Sequence, residues 1–211
     1  MDRDLLITMV NEAVGRKDFT GARKFMGEIE LALTDNIDIL NGGGWSATSF
    51  YSIYMMVHLI SEDLNGAKYL WKRAPRMYKE ATNTNFSNIW NVGKSLWNEN
   101  YAEALSTIPD DSWIDSGNAL ENDLRQVLKH ALKSRQIRAI AAAYSVLTLD
   151  FLREQLFLQS EEEAANFAQH MHWRHDTSTN MVFPTAYTPK EAVSTINDQL
   201  QESKGLTSDL S

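Results

Sequence analysis

Residues 145–184 read SVLTLDFLREQLFLQSEEEAANFAQHMHWRHDTSTNMVFP, and the order of signals in this stretch decides the fold. Ser145-Val146-Leu147-Thr148-Leu149 is short and β-branched, the signature of a strand. Asp150 to Leu158 returns to helical spacing. Ser160 followed three residues later by Glu163 is a capping box, and the acidic first turn Glu161-Glu162-Glu163 suits the positive end of a helix dipole. Ala164, Phe167, Ala168 and Met171 give that helix its buried face. Trp173 to Pro184 then alternates and turns, as a β-hairpin closed by Pro184 does. Helix, short strand, helix, capped helix and hairpin in that order predict a winged helix. The helix that leads in carries Ile137, Ile140, Ala141 and Tyr144 on one stripe.

Upstream, the helical period dominates. Leu5, Leu6, Met9, Val10, Ala13 and Val14 form one amphipathic stripe, and Phe19, Ala22, Phe25, Met26, Ile29 and Leu33 form a second. Asn41-Gly42-Gly43-Gly44 is the strongest loop signal in the chain. Ser49 to Ile60 is apolar on most sides, which places it between other helices. Asp18-Phe19-Thr20-Gly21-Ala22 is echoed by Asp63-Leu64-Asn65-Gly66-Ala67 and more loosely by Asn100-Tyr101-Ala102-Glu103-Ala104. Each copy opens with a helix-capping Asp or Asn and puts a small residue fifth, where two helices approach closely. Such repetition predicts paired-helix units stacked as a solenoid of the TPR or HEAT kind. Ala119 to Tyr144 reads either as two helices or as one bent helix.

Composition narrows the function. The chain has 211 residues, 43% of them hydrophobic, enough for a substantial core. It has no cysteine, so disulfides, thiol catalysis and Cys-ligated metal sites are excluded. Its N-terminus lacks the pattern of a signal peptide and no stretch is long and apolar enough to span a membrane, so a soluble intracellular protein is expected. The net charge of −8 argues against general nucleic-acid binding. The Glu-rich start of the capped helix would face phosphates, so a winged helix of this charge is expected to bind protein, for instance by pairing a strand edge. Against this stands a local basic run, Arg125, Lys129, Lys133, Arg135 and Arg138. A solvated helix face is the simpler account, and a winged-helix nucleic-acid binder is the rival.

Other candidate sites fail on spacing. His170, His172 and His175 lack the three- or four-residue spacing of metal ligands on a helix. Asp110-Asp111 follows Pro109 in a loop, and Glu161 to Glu163 are explained as a cap. Gly42 to Gly44 is followed by no Gly-Lys-Ser/Thr, and no G-x-S-x-G elbow occurs. No catalytic constellation, cofactor or small-molecule substrate is therefore expected. The aromatics Tyr69, Trp71, Tyr78, Phe86, Trp90, Trp97 and Tyr101 crowd one region, and Trp71, Trp90 and Trp97 are assigned to the core. A ligand-binding aromatic platform would need Arg and Lys interleaved on a basic surface.

Helical pairs leading into a winged helix resemble the PCI module, shared by subunits of the proteasome lid, the COP9 signalosome and translation initiation factor 3. Leu64-Asn65-Gly66-Ala67-Lys68-Tyr69-Leu70-Trp71-Lys72-Arg73-Ala74-Pro75 is similar to the signature of the COP9 signalosome subunit 8 family. So are Ile89 to Trp97 with Tyr101, Ala141 to Ser145, Ser160 to Ala164, and Trp173 with Thr179 to Pro184. The chain departs from that family at His172 and Phe157, where glycine is usual, and residues 1–45 carry no matching motif. The resemblance implies a mostly α, PCI-type fold with a helical-repeat region over 1–133, a winged helix over 134–186, and a C-terminal helix and tail over 187–211. It also implies a non-catalytic scaffold in the cytoplasm and nucleus. Its partners would be other PCI-domain subunits of the complex that removes a ubiquitin-like modifier from cullins. Met181, Val182 and Phe183 would then supply a sheet-edge contact, and Ala192, Ile196 and Leu200 the face of a shared helical bundle.

Overall fold

The computed structural model describes residues 3–35, 45–80, 85–109 and 118–185. Ten helices and one three-stranded sheet occur among them. The chain divides into two compact units, Met1–Leu132 and Lys133–Ser211.

The first unit contains α1 (Arg3–Gly15), α2 (Phe19–Asp35), α3 (Ala47–Ile60), α4 (Leu64–Arg73), α5 (Arg76–Glu80), α6 (Asn85–Trp97) and α7 (Tyr101–Thr107). Three connections inside it are built the same way. Lys17, Glu62 and Glu99 each adopt the left-handed conformation, with φ of 59°, 62° and 57°. The next residue, Asp18, Asp63 or Asn100, donates its N–H back to the carbonyl of Ala13, His58 or Ser95 at 2.8, 2.9 and 2.9 Å. That closes the preceding helix in a Schellman-type turn. The side chain of the same residue then accepts from the N–H of Gly21, Gly66 or Glu103 at 2.9, 2.8 and 3.1 Å and opens the following helix. One residue thus ends one helix and begins the next. The small fifth residues Ala22, Ala67 and Ala104 are fully buried, as the close approach of helices requires.

α3 is the centre of this unit. All its residues from Ser49 to Ile60 are buried, and it packs against α2, α4 and α6. Its aromatic residues join Phe86 of α6, whose ring lies 5.7 Å from Tyr51 and 5.0 Å from Trp71. Residues 119–143 form one continuous helix, α8 (Ala119–Ala143). It gives Leu124, Leu128 and Leu132 to the first core, and Ile137 and Ile140 to the second.

The second unit continues from α8 into β1 (Leu147–Thr148), α9 (Leu149–Leu156), α10 (Glu161–His170), β2 (Arg174–Asp176) and β3 (Met181–Phe183). The strand expected over 145–149 is only two residues long; Tyr144 and Val146 before it are exposed. Thr148 caps α9 by accepting from the Phe151 N–H, and Ser160 caps α10 by accepting from the Glu163 N–H, both at 3.1 Å. The Glu163 carboxylate reaches back to the Gln159 N–H at 2.6 Å, one residue before the cap. Leu147, Leu152, Leu156, Ala164, Ala168, Trp173 and Val182 close the core. This is the predicted winged helix.

Candidate functional site

In a winged helix the surfaces that act are the wing, the sheet edges and the capped helix. The wing is set by local chemistry. Asp176 Oδ1 accepts from the backbone N–H and the hydroxyl of Ser178, at 3.0 and 2.6 Å, which folds the turn and holds the carboxyl below its usual range. Asn180 then takes a positive φ of 56° and returns the chain into β3. Across the hairpin Arg174 stands opposite Phe183, and its guanidinium lies 3.9 Å over the Phe183 ring.

The strand order is β1-β3-β2, both pairings antiparallel. That corrects one expectation. Met181, Val182 and Phe183 form the middle strand, paired with β1 through Val182 and Leu147 and with β2 through Val182 and His175. Their backbone groups face strands on both sides, and the Val182 side chain is buried in the core. The sheet edge belongs to β2, residues Arg174, His175 and Asp176, and on the far side to the very short β1. Ala192, Ile196 and Leu200 lie outside the described residues, as do Asn41 to Gly44 and Asp110-Asp111.

The capped helix α10 presents Glu161, Glu162 and Glu163, all exposed, at its N-terminal end. A helix meeting the DNA major groove end-on would bring three carboxylates against phosphate. The basic run on α8 is not a free cationic stripe either. Arg125 is buried, 7% exposed, and donates to the Pro109 carbonyl at 2.6 Å; Lys129, Lys133 and Arg135 are half-buried. Only Arg138 of the five is exposed. The expectation of a solvated face therefore fails at Arg125, which tertiary contact takes out of solvent.

Inside the first unit, a partly buried polar cluster is built on the second repeat. Asp63 Oδ2 meets the Arg23 guanidinium at 2.6 Å and His58 Nδ1 at 3.1 Å, while its Oδ1 holds the Gly66 N–H. Burial opposes ionisation of Asp63, but the Gly66 N–H, His58 and Arg23 together hold its carboxyl below the usual value. His58 is pushed the other way. Burial lowers its pKa more than Asp63 raises it, so the contact at neutral pH is a hydrogen bond from neutral imidazole rather than an ion pair. With the proton on Nδ1, Nε2 is a buried acceptor with no hydrogen-bond partner among the described residues. The His58 ring stacks on Tyr54 at 4.7 Å. These contacts tie the α3–α4 turn to α2.

A cleft of about 340 Å³ in the same unit is lined by Glu30, Leu33, Tyr51, Arg73, Pro75 and Tyr78. Arg73 and Glu30 form a bidentate pair, both contacts 2.7 Å, which neutralises the charge there. Burial and the nearby Glu30 push the Tyr51 hydroxyl up to about 12, so it stays protonated. Among the described residues that line it there is no Ser, Thr, Cys or His. Among the described residues no group of three or more His, Cys, Asp and Glu is placed to hold a metal ion, and no helix is long and apolar enough to cross a membrane.

The aromatic cluster divides. Phe86 is fully buried; Trp71 and Trp90 stack at 5.3 Å with planes 11° apart and are half-buried against the core. Trp97 is 46% exposed and Tyr69 is 59% exposed, each with a lysine over its ring. Assignment of Trp97 to the core is thus corrected. Seven residues from Trp90 places it on the same side of α6, but at the last turn, past the end of its cover. The signal available in the sequence is charge: residues 64–98 contain six Lys and Arg against one acidic residue.

Helix pairs followed by a winged helix are the architecture of a PCI-type module. A model of the CSN8/PSMD8/EIF3K family matches residues 46–193, and the chain belongs to that family. It is 27% identical over 157 residues to COP9 signalosome complex subunit 8 of Danio rerio, covering 74% of this chain and 79% of that protein. It is also 27% identical over 184 residues to the Dictyostelium discoideum protein of the same name, covering 85% and 84%. The Arabidopsis thaliana subunit 8 is 26% identical over 132 residues, covering 62% and 64%.

Proposed function

We propose that this chain is a non-catalytic scaffold subunit of the COP9 signalosome, contributing to assembly of the complex that removes a ubiquitin-like modifier from cullins. The observation that carries the reading is the winged helix itself. It has an acidic capped helix unsuited to nucleic acid, in a chain whose relatives carry the name of that complex's subunit 8. The partners are other PCI-domain subunits, and the chain works in cytoplasm and nucleus without cofactor or small-molecule substrate. Association uses the outer edge of β2 in the wing, with Met181 and Phe183 half-buried beside it, and the apolar face of Ala192, Ile196 and Leu200 in the tail.

The test is the double substitution Ile196→Asp and Leu200→Asp. The variant should keep its helical circular dichroism and lose co-purification with partner subunits on size exclusion. Retained co-purification would overturn the tail's role. Co-purification of the unaltered chain with proteasome-lid or initiation-factor subunits would assign it to another branch of the family.

A further inference from the structure

The seam between α4 and α6 carries a surface that the scaffold reading does not use. The two helices pack together in the first unit, and Trp71 of one stacks on Trp90 of the other. Further along the same seam Lys68 Nζ sits 4.4 Å over the Trp97 ring; on the outer side of α4, Lys72 Nζ lies 5.7 Å over the ring of Tyr69. Lys94, exposed, is one turn before Trp97 on α6. Neither helix contains an Asp or Glu, in a chain whose net charge is −8. Arg73 at the end of α4 is already paired with Glu30, so the cationic character of this face rests on the three lysines.

Two large aromatic rings left in water are unfavourable to the isolated chain, and the lysine stems shield them only in part. Aromatic residues ringed by cations are the composition of a binding hot spot rather than of an ordinary solvated face. We propose that the α4–α6 face docks an acidic amphipathic segment of another protein. Its carboxylates meet Lys68, Lys72 and Lys94, and its apolar side chains cover Trp97 and Tyr69. Charge complementarity selects this occupant. A nucleic-acid strand would meet the same lysines but brings a continuous line of phosphates to a chain of net charge −8. A long polyanion also meets the whole negative chain, whereas a short acidic segment feels only charges within a Debye length of roughly 8–10 Å.

The inference is independent of which complex the chain joins. The experiment uses the full chain and a fluorescent synthetic peptide of about fifteen residues, long enough for a marginal helix. The peptide carries Leu and Phe at helical spacing and Glu and Asp elsewhere; a version with Lys for each acid and an oligothymidine strand are the comparisons. The expected result is saturable anisotropy with the acidic peptide, weakening as salt rises. The Lys68→Glu/Lys72→Glu variant should bind at least about tenfold more weakly with unchanged circular dichroism. Trp97→Ala should weaken binding without abolishing its salt dependence. Absence of saturable binding, binding undiminished in the lysine variant, or capture of oligothymidine in preference to the peptide would each overturn the proposal.

Discussion

In the helical unit, three left-handed turn residues are Lys17, Glu62 and Glu99, with charged side chains directed into solvent. In the winged helix the same kind of turn closes α9 at Phe157 and α10 at His172, with φ of 53° and 54°. Leu158 and Trp173 then donate back to Arg153 and Ala168 at 3.0 and 2.8 Å. The left-handed region costs a residue with a Cβ about 1–2 kcal/mol, a cost glycine avoids. Both units bear it, but they differ in what offsets it. The helical unit surrounds its turns with thirty-one buried hydrophobic residues among those described, the winged helix with eleven. The smaller unit has less core to spare, and its strain falls on a half-exposed phenyl ring and an imidazole.

Removing a ring from each core breaks this comparison most sharply. Phe86→Ala in the first unit and Trp173→Ala in the second should each cost about 3–5 kcal/mol. The first variant is expected to fold with a lowered urea midpoint. The second should lose the winged helix, read as disappearance of the Val182 and Phe183 amide protection in hydrogen exchange. Equal survival of both would mean that core size does not set the difference.

Next in size is a contrast of glycines. A Cβ at Gly66 would collide with the Asp63 carboxylate and the His58 ring, whereas one at Gly15 would meet nothing within 4 Å. Gly66→Ala should therefore cost about 1–3 kcal/mol, and Gly15→Ala should be neutral or slightly stabilising. Chemical denaturation of the two variants checks the pair.

The polar knot gives the first unit a pH dependence near neutrality. His58 has a folded pKa below its unfolded value, so the unfolded chain binds more protons and stability is lost as pH falls through about 6.5. Asp63, with its folded carboxyl held low, adds a further loss below about pH 4. Melting at pH 7.5 and 5.5 should show a drop that His58→Gln reduces, because the amide keeps a donor for Asp63 and does not titrate. An unchanged drop would place the sensitivity elsewhere. The smallest effect sharpens the comparison from the other side. Phe157→Gly and His172→Gly should each raise winged-helix stability by about 0.5–1 kcal/mol, and Phe157→Ala should not.

These contrasts follow the line between what was legible in the sequence and what was not. Caps are local: Asp18, Asp63, Asn100, Thr148 and Ser160 bond within three residues, and four of them could be read from spacing alone. The buried alanines followed from the same repeat. Strand order was not legible, because Leu147 pairs with Val182 across two intervening helices and nothing nearby in the chain records it. Placing Met181 to Phe183 at an edge failed for that reason. Burial of Arg125 depends on Pro109, sixteen residues away, and the exposure of Trp97 on where α6 runs out of neighbours. Periodicity finds a face but not what covers it.

The central claim, that this chain serves as a scaffold inside a larger complex, is tested most directly by isolating the tagged chain from its native cells. The complex would be sized and assayed for cleavage of modified cullin. A large assembly with metal-dependent cleavage is expected, with the purified chain alone inactive. Recovery of the chain as a lone small species, or in an assembly that leaves modified cullin intact, would contradict it.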